Sequence, residues 1–349
     1  MAQLPLPWRC RSVHFRFDDW VQEGEPMLRR QFLGATAAVL ASSLAHGQAP
    51  RTARVAWTSV EPANPNSPFL AFFRKAMHDA GWTEGRNLAL DQWWGGGSVE
   101  GLKKRIPDLA ASRPDVIVGA GGPATRVLVD AQVTPPIVFA VSADVVLGKF
   151  VHSWAKPGVN RTGISFFSLE LIPKRVQLIR ELMPNATRLA IIGWPPHAGE
   201  LLELEAAAKA ADTLGFQHRY FGANNATELE AAFKGVKQWN GEVILAFAGA
   251  LTSHSDRFAA FSLSEKIPTV SSWAVFAEKG NLVAFGPVLE ECYARLAYFV
   301  DRIFKGAKPV DMPVELPTKV ELVVNRGTAK ALGIAIPQAV LIRADRFID

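Results

Sequence analysis

The segment Val118-Gly119-Ala120-Gly121-Gly122 is the nearest the chain comes to a cofactor motif. A G-x-G-x-x-G turn starting at Gly119 would need its third glycine where Ala124 stands, and Pro123 interrupts it. The segment reads instead as a tight strand-to-helix turn. Ser253-His254-Ser255-Asp256 has the residue types of a hydrolytic triad. A triad is assembled in space from distant segments, however, and no G-x-S-x-G elbow occurs. That segment reads as a polar loop capping the following helix. The seven histidines show no H-E-x-x-H and no cysteine partner, so no metal site and no cofactor is expected. What remains is the chemistry of binding rather than of turnover.

The N-terminal region carries its own signal. Arg29-Arg30 precedes an uncharged, Ala- and Leu-rich stretch from Phe32 to Ala45, and Ala45-His46-Gly47 supplies small residues before Gln48. The stretch is shorter than the ~20 residues of a membrane span. Basic, apolar and small-residue regions in this order read as a cleaved secretory signal over 27–47, with the arginine pair matching a twin-arginine type. Residues 1–26 show no periodicity and read as a gene-model extension ahead of Met27. Of the two cysteines, Cys10 lies in that extension, leaving Cys292 alone, so no internal disulfide is expected. No cysteine follows the apolar stretch, so no lipid anchor is expected and the mature protein should be free in the periplasm. A net charge of +5 without a Lys/Arg run is no nucleic-acid signature.

Short apolar strands alternate with amphipathic stretches across the remaining length. Strands are expected at 54–58, 87–93, 115–120 and 136–141, with helices at 67–80, 99–111 and 124–130 between or after them. In the helix at 67–80, Phe69, Phe72, Phe73, Ala76 and Met77 share one face. The same grammar restarts with strands at 188–193, 215–221, 242–247 and 268–271 and helices at 198–214, 227–239 and 255–265. Strands alternating with helices give parallel βαβ units. The fold class is therefore α/β, with two doubly wound parallel-sheet domains. Residues 52–160 with 286–316 form the first domain, and 165–281 with 325–349 the second. The Pro/Gly-marked stretch 156–164 reads as a loop. Crossovers at 160–165, 281–286 and 317–325 form a hinge.

Several of these segments resemble a known family. They are Ala80-Gly81-Trp82-Thr83-Glu84-Gly85-Arg86-Asn87, Pro114-Asp115-Val116-Ile117-Val118, Lys156 to Ser165, and Phe276-Ala277-Glu278-Lys279-Gly280. Phe304-Lys305-Gly306-Ala307-Lys308-Pro309 and Pro317-Thr318-Lys319 through Ala331-Leu332-Gly333 complete the set. In this order and spacing they resemble ABC-transporter substrate-binding proteins of the tryptophan/tyrosine-binding type, with a type I periplasmic binding fold. The resemblance runs from about Arg54 to Asp349. It implies a monomeric, non-enzymatic protein that captures a small molecule between two closing domains. The closed complex would be delivered to an ABC permease with its ATPase. Open α/β sheets bind ligands beyond the carboxyl ends of their strands, which places the candidate residues. One wall would hold Ser59, Asn66, Gly121, Gly122, Pro123, Ser142 and Asp144. The other would hold Trp194, Pro195, His197, Gly249, Trp273 and Phe276.

Where many relatives carry Asp this chain has Ala248, and where they often carry Glu it has Val275. Without those acids a ligand ammonium would lack partners, so an aromatic or apolar carboxylate without an α-amino group is expected, with Asp144 the one remaining acid. Two alternatives stand beside this reading. One is an amino-acid-binding protein of the same family, and the other is a sensory module, which an adjacent kinase gene instead of permease and ATPase genes would indicate.

Overall fold

A computed structural model describes residues 52–349 except 167, 168, 198 and 248. The signal segment, the twin arginines, Cys10 and Ala248 lie outside the described residues. Residues 52–349 form one compact unit.

The first sheet begins with β1 (Ala53–Ser59), a run in which six of seven residues are buried. After it, α1 (Pro68–Asp79) starts on a proline, which lacks the N–H that a first-turn residue could not use. Leu70, Phe73 and Met77 recur on its inner face and are fully buried. β2 (Leu88–Trp94) follows. The single helix expected over 99–111 is two short ones, α2 (Val99–Lys103) and α3 (Ile106–Ala111). Pro107 is the reason: its ring fixes the chain in a first-turn position, so the helix must restart ahead of it. β3 (Val116–Ala120), α4 (Gly122–Asp130) and β4 (Ile137–Val141) complete the βαβ series.

The expected loop over 156–164 is only half a loop. Its Pro/Gly punctuation ends at Gly158, and β5 (Arg161–Ser165) pairs in parallel with β4. Thr162 and Ile164 are β-branched and buried there, a strand preference that the neighbouring proline and glycine masked. The sheet order is β2-β1-β3-β4-β5, and every pairing is parallel.

The chain then enters a second sheet through α5 (Leu171–Leu182), a helix the sequence reading did not foresee. β6 (Arg188–Gly193), α6 (Glu200–Thr213), β7 (Gln217–Gly222), α7 (Ala226–Gln238) and β8 (Val243–Ala246) repeat the grammar of the first half. Asn225 caps α7 by accepting the N–H of Glu228 at 3.0 Å. A 3-10 turn at Ala250–His254 leads into α8 (Ser255–Glu265), then β9 (Thr269–Ser271), α9 (Ala274–Glu278) and β10 (Val283–Pro287). β10 pairs with β9, so the stretch at 281–286, read as a strand crossing back, supplies a strand of the second sheet. The apolar alternation in Val283-Ala284-Phe285 is what recruits it.

α10 (Leu289–Phe304) returns to the first sheet. Its stripe of Cys292, Leu296, Phe299 and Val300 is buried in one core with Val55, Trp57, Phe73 and Met77. The backbone of Met312–Glu315 runs beside β5, with Ser165 N–H donating to the Glu315 carbonyl at 2.9 Å. β11 (Val320–Asn325) then joins the second sheet antiparallel to β10, and α11 (Arg326–Leu332), α12 (Gln338–Arg343) and β12 (Arg346–Ile348) finish the chain. The second order is β12-β11-β10-β9-β8-β6-β7. Both sheets thus contain the same doubly wound order, 2-1-3-4-5 within each half, with β11 and β12 added to the second. No helix among the described residues is long and apolar enough to cross a membrane.

Candidate functional site

In each half the strand order reverses beside the first strand, and crevices open there beyond the carboxyl ends. In the first half that point lies between Ser59, which ends β1, and Gly121, which follows β3. In the second it lies between Trp194, after β6, and Gly249, after β8.

The first wall is made of backbone and small polar groups. Gly121 adopts φ +97, which an L side chain resists, and starts α4. Its own N–H is bonded to the Ala140 carbonyl at 2.9 Å, and its carbonyl accepts from Thr125 N–H at 3.0 Å. Pro123 has no N–H, so the donors this turn can offer are the amides of Gly122 and Ala124, not that of Gly121. Ser59 is buried, its hydroxyl accepting the N–H of Glu61 at 3.2 Å. Asn66 is exposed in the turn that precedes α1 and donates its N–H to Asn64 Oδ1 at 3.1 Å. Asp144 Oδ1 accepts the N–H groups of Val146 and Leu147 at 2.9 and 2.8 Å, so this carboxylate caps its own turn.

The second wall is made of rings and charges. Trp194 is half-buried and Pro195 exposed, while the Trp194 carbonyl takes the His197 N–H at 2.9 Å. A Cβ on Gly249 would touch His197 and Trp194 at 3.9 and 4.0 Å, so these three sit together. Trp273 is only 7% exposed and stands edge-on to Phe166, ring centres 5.6 Å apart. Phe276 is fully buried against Phe258 at 5.6 Å in the second half's core, and presents no surface to a ligand here. Its helical spacing from Trp273 is thus that of a core residue.

Among the described residues, two contacts join the walls. The His197 imidazole Nε2 is hydrogen-bonded to the Ser142 carbonyl, tying the end of β6 to the end of β4. Because a carbonyl can only accept, Nε2 carries the proton and Nδ1 presents its lone pair. Trp273, after β9, meets Phe166, after β5. The ring of Phe166 continues to Tyr293 at 6.2 Å, which stacks on Phe69 at 4.5 Å. A line of aromatic rings therefore runs from one half into the other.

Behind His197 lies a cluster that sequence reasoning missed. Glu200 and Glu203 are each 4% exposed, on the inward face of α6 with Ala207 and Ala211. The signal was in the spacing: positions 200, 203, 207 and 211 form one helical stripe, and its first two members are acids. Glu200 fits because residue 193 is glycine; a Cβ there would lie 1.8 Å from Glu200 Oε1. That oxygen accepts the Tyr220 hydroxyl at 2.8 Å. Burial pushes the Glu200 carboxyl up to about 7, opposed by the bonds from Tyr220 and the backbone at Trp194. Burial, with the negative charge of Glu200, pushes Glu203 to about 8, and Arg175 only partly offsets it. Burial lowers His197 to about 4, so the ring is neutral. Arg175 is itself 3% exposed and donates Nε–H to the Phe285 carbonyl at 2.7 Å.

A surface groove of about 960 Å³ runs along the outer side of α10 past Glu315–Lys319, but it contains none of the candidate residues.

The chain has recognisable relatives. A tyrosine-binding protein of Clostridioides difficile (strain R20291) is 21% identical over 260 residues, 74% of this chain and 75% of that protein. Among solved structures, a conserved domain protein from Vibrio cholerae O1 biovar El Tor is 26% identical with a TM-score of 0.79, covering 85% of this chain and 100% of that one. The ABC domain from Streptococcus pneumonia in complex with L-Trp is 22% identical with a TM-score of 0.78, at the same coverage. A family model described as ABC transporter substrate binding protein matches residues 70–348. Two doubly wound halves whose strand ends meet are the architecture such a protein needs, and this chain belongs to the ABC transporter substrate-binding protein family.

Proposed function

We propose that this protein is the periplasmic capture component of an ABC importer, which closes its two halves on a small aromatic or otherwise apolar carboxylate. One observation carries the reading: the opposed strand-end walls touch, through the bond from His197 to the Ser142 carbonyl. Such a contact has meaning only if the halves close on one another. The segments that leave the sheets at Phe166, Val288 and 316–319 are the natural hinge, since little sheet pairing holds them. A ligand favours closure only by binding the closed form better, and one touching both the Gly122 and Ala124 amides and the Trp194 face does so. The amides at the start of α4 suit a carboxylate, and the rings of Trp194 and Trp273 suit an apolar body. The closed complex would then dock on a permease with its ATPase.

An amino-acid ligand is the second reading. It is supported by the tyrosine-binding relative, by the structure holding L-Trp, and by buried carboxylates at Glu200 and Glu203 where Ala248 and Val275 offer none. Asp144 suits an ammonium poorly, because two amides already occupy one of its oxygens.

Calorimetry on periplasmic protein, its N-terminus sequenced near Gln48, should compare matched pairs such as phenylpyruvate-like acids and their amino acids. The expected result is tighter binding of the keto acid, with a fall in radius of gyration by X-ray scattering. Tighter binding of the amino acid selects the second reading. Saturating ligand without compaction removes the closure mechanism.

A further inference from the structure

His197, Glu200 and Glu203 place one ligand atom each within 4.8 Å of one another, the one such group among the described residues. We propose that these three side chains form a binding site for a divalent first-row transition cation such as Zn²⁺ or Mn²⁺, set in the second wall of the cleft.

The first argument is distance. His197 Nδ1 lies 3.6 Å from a Glu203 carboxylate oxygen and 3.8 Å from one of Glu200. These separations are too long for hydrogen bonds. A four-coordinate ion with bonds of about 2.0–2.2 Å sets its ligand atoms roughly 3.3–3.6 Å apart, so the two histidine–carboxylate separations need to contract by at most a few tenths of an ångström.

The second argument is orientation. The imidazole gives its Nε2 proton to the Ser142 carbonyl, which turns the Nδ1 lone pair towards the two acids. Metal-ligating histidines are held in this way, the far ring N–H donating to a carbonyl or carboxylate. Glu200 is positioned likewise: Oε1 is fixed by Tyr220 while Oε2 faces the histidine.

The third argument is the cost of leaving the group as it stands. Glu200 Oε2 and Glu203 Oε2 are buried and accept no hydrogen bond. A buried acceptor without a donor is unfavourable, and here two sit on one helix face. Arg175 lies close enough to act on Glu203, yet its Nε–H goes to Phe285. A divalent cation would supply the charge opposite both acids as they ionise to coordinate it. One imidazole with two carboxylates suits Zn²⁺ or Mn²⁺ better than Mg²⁺ or Ca²⁺, which prefer oxygen alone. Since His197 also touches the opposite wall, a cation that fixes the ring would favour the closed form.

The test is calorimetric titration of the EDTA-stripped full chain with Zn²⁺ and with Mn²⁺, no organic ligand present. It is therefore independent of the importer reading. One equivalent should bind and raise the melting temperature, and Glu200→Gln or Glu203→Gln should each weaken binding about tenfold or more. Both variants keep the side-chain shape, so both should fold. Should either fail to fold, the visible spectrum of Co²⁺ bound to the unmodified chain decides, since four-coordinate nitrogen and oxygen ligation is required. Absence of binding by either ion overturns the proposal, as does equal affinity in both glutamine variants. Loss of amino-acid binding in Glu203→Gln, without metal uptake by the unmodified chain, would overturn it too and give the cluster to a ligand ammonium.

Discussion

The two halves share a strand order but not a wall chemistry. After β1 and β3 the chain offers glycine turns, a capped aspartate and hydroxyls, each held by nearby backbone. After β6 the equivalent position carries His197, with Glu200 and Glu203 beneath it and Arg175 behind. The first wall is thus preorganised by main-chain geometry, which burial does not threaten. The second is held by charges that water no longer screens, where removing one group strands its neighbours. The same fold can hold a cleft wall rigid by either means, and the two differ most in how they respond to substitution.

The largest expected effect is at Arg175. Arg175→Met removes the donor to the Phe285 carbonyl and the counter-charge to buried Glu203. The cost should be about 3–5 kcal/mol of stability, read from the denaturant midpoint. No described residue of the first wall is fully buried and cationic, so no substitution there should approach this figure. A loss below 1 kcal/mol would mean that the cluster is not electrostatically coupled, and the contrast between the walls would fail.

The two glycines sharpen it further. Gly193→Ala drives a Cβ to 1.8 Å from Glu200 Oε1, with Phe247 Cδ2 also close at 3.0 Å, and should cost about 1–3 kcal/mol. Gly121→Ala meets nothing closer than Pro123 Cδ at 3.9 Å, but is strained by φ +97 and should cost about 1–2 kcal/mol. Their origins separate by rescue. Adding Glu200→Ala should restore much of the stability lost at Gly193, whereas shortening neighbouring side chains should restore nothing at Gly121. Thermal unfolding of the paired variants reads this directly.

How much of this the sequence disclosed followed from the range of the forces involved. Local periodicity revealed both parallel series, and of the two capping candidates for α7, Thr227 and Asn225, it is Asn225 that accepts the N–H three residues on. Pro107 splits the helix expected over 99–111 by a local effect that periodicity alone does not register. β5 was hidden because its strand character depends on β4 and on Met312–Glu315, neither adjacent in sequence. Strand ends located the walls, since switch points follow from topology. Side chains within them were harder. Trp273 and Phe276 look alike in sequence, yet Trp273 meets Phe166 while Phe276 is sealed in the core. Glu200 and Glu203 looked like ordinary first-turn acids at a helix N-terminus, where such residues are common on solvated faces. Only the stripe they share with Ala207 and Ala211 turns them inward.

The smallest expected effect bears on closure itself. The bond between the walls runs from the His197 ring to the main-chain carbonyl of Ser142, not to its hydroxyl. Ser142→Ala should therefore leave the radius of gyration of the ligand-free protein unchanged. His197→Ala removes the donor, and a hydrogen bond of this kind contributes about 0.5–1.5 kcal/mol. The open-to-closed ratio should then rise by roughly 2–12-fold, since 1.4 kcal/mol is a factor of ten. X-ray scattering of ligand-free protein should show the expansion, and double electron–electron resonance between spin labels on exposed α1 and α7 positions should show the distance distribution shifting outward. The asymmetry between the variants carries the argument, because both alter the same contact and only one alters an atom that makes it. Expansion in Ser142→Ala as well would mean that the hydroxyl matters to the first wall, which would then depend on side chains as the second does.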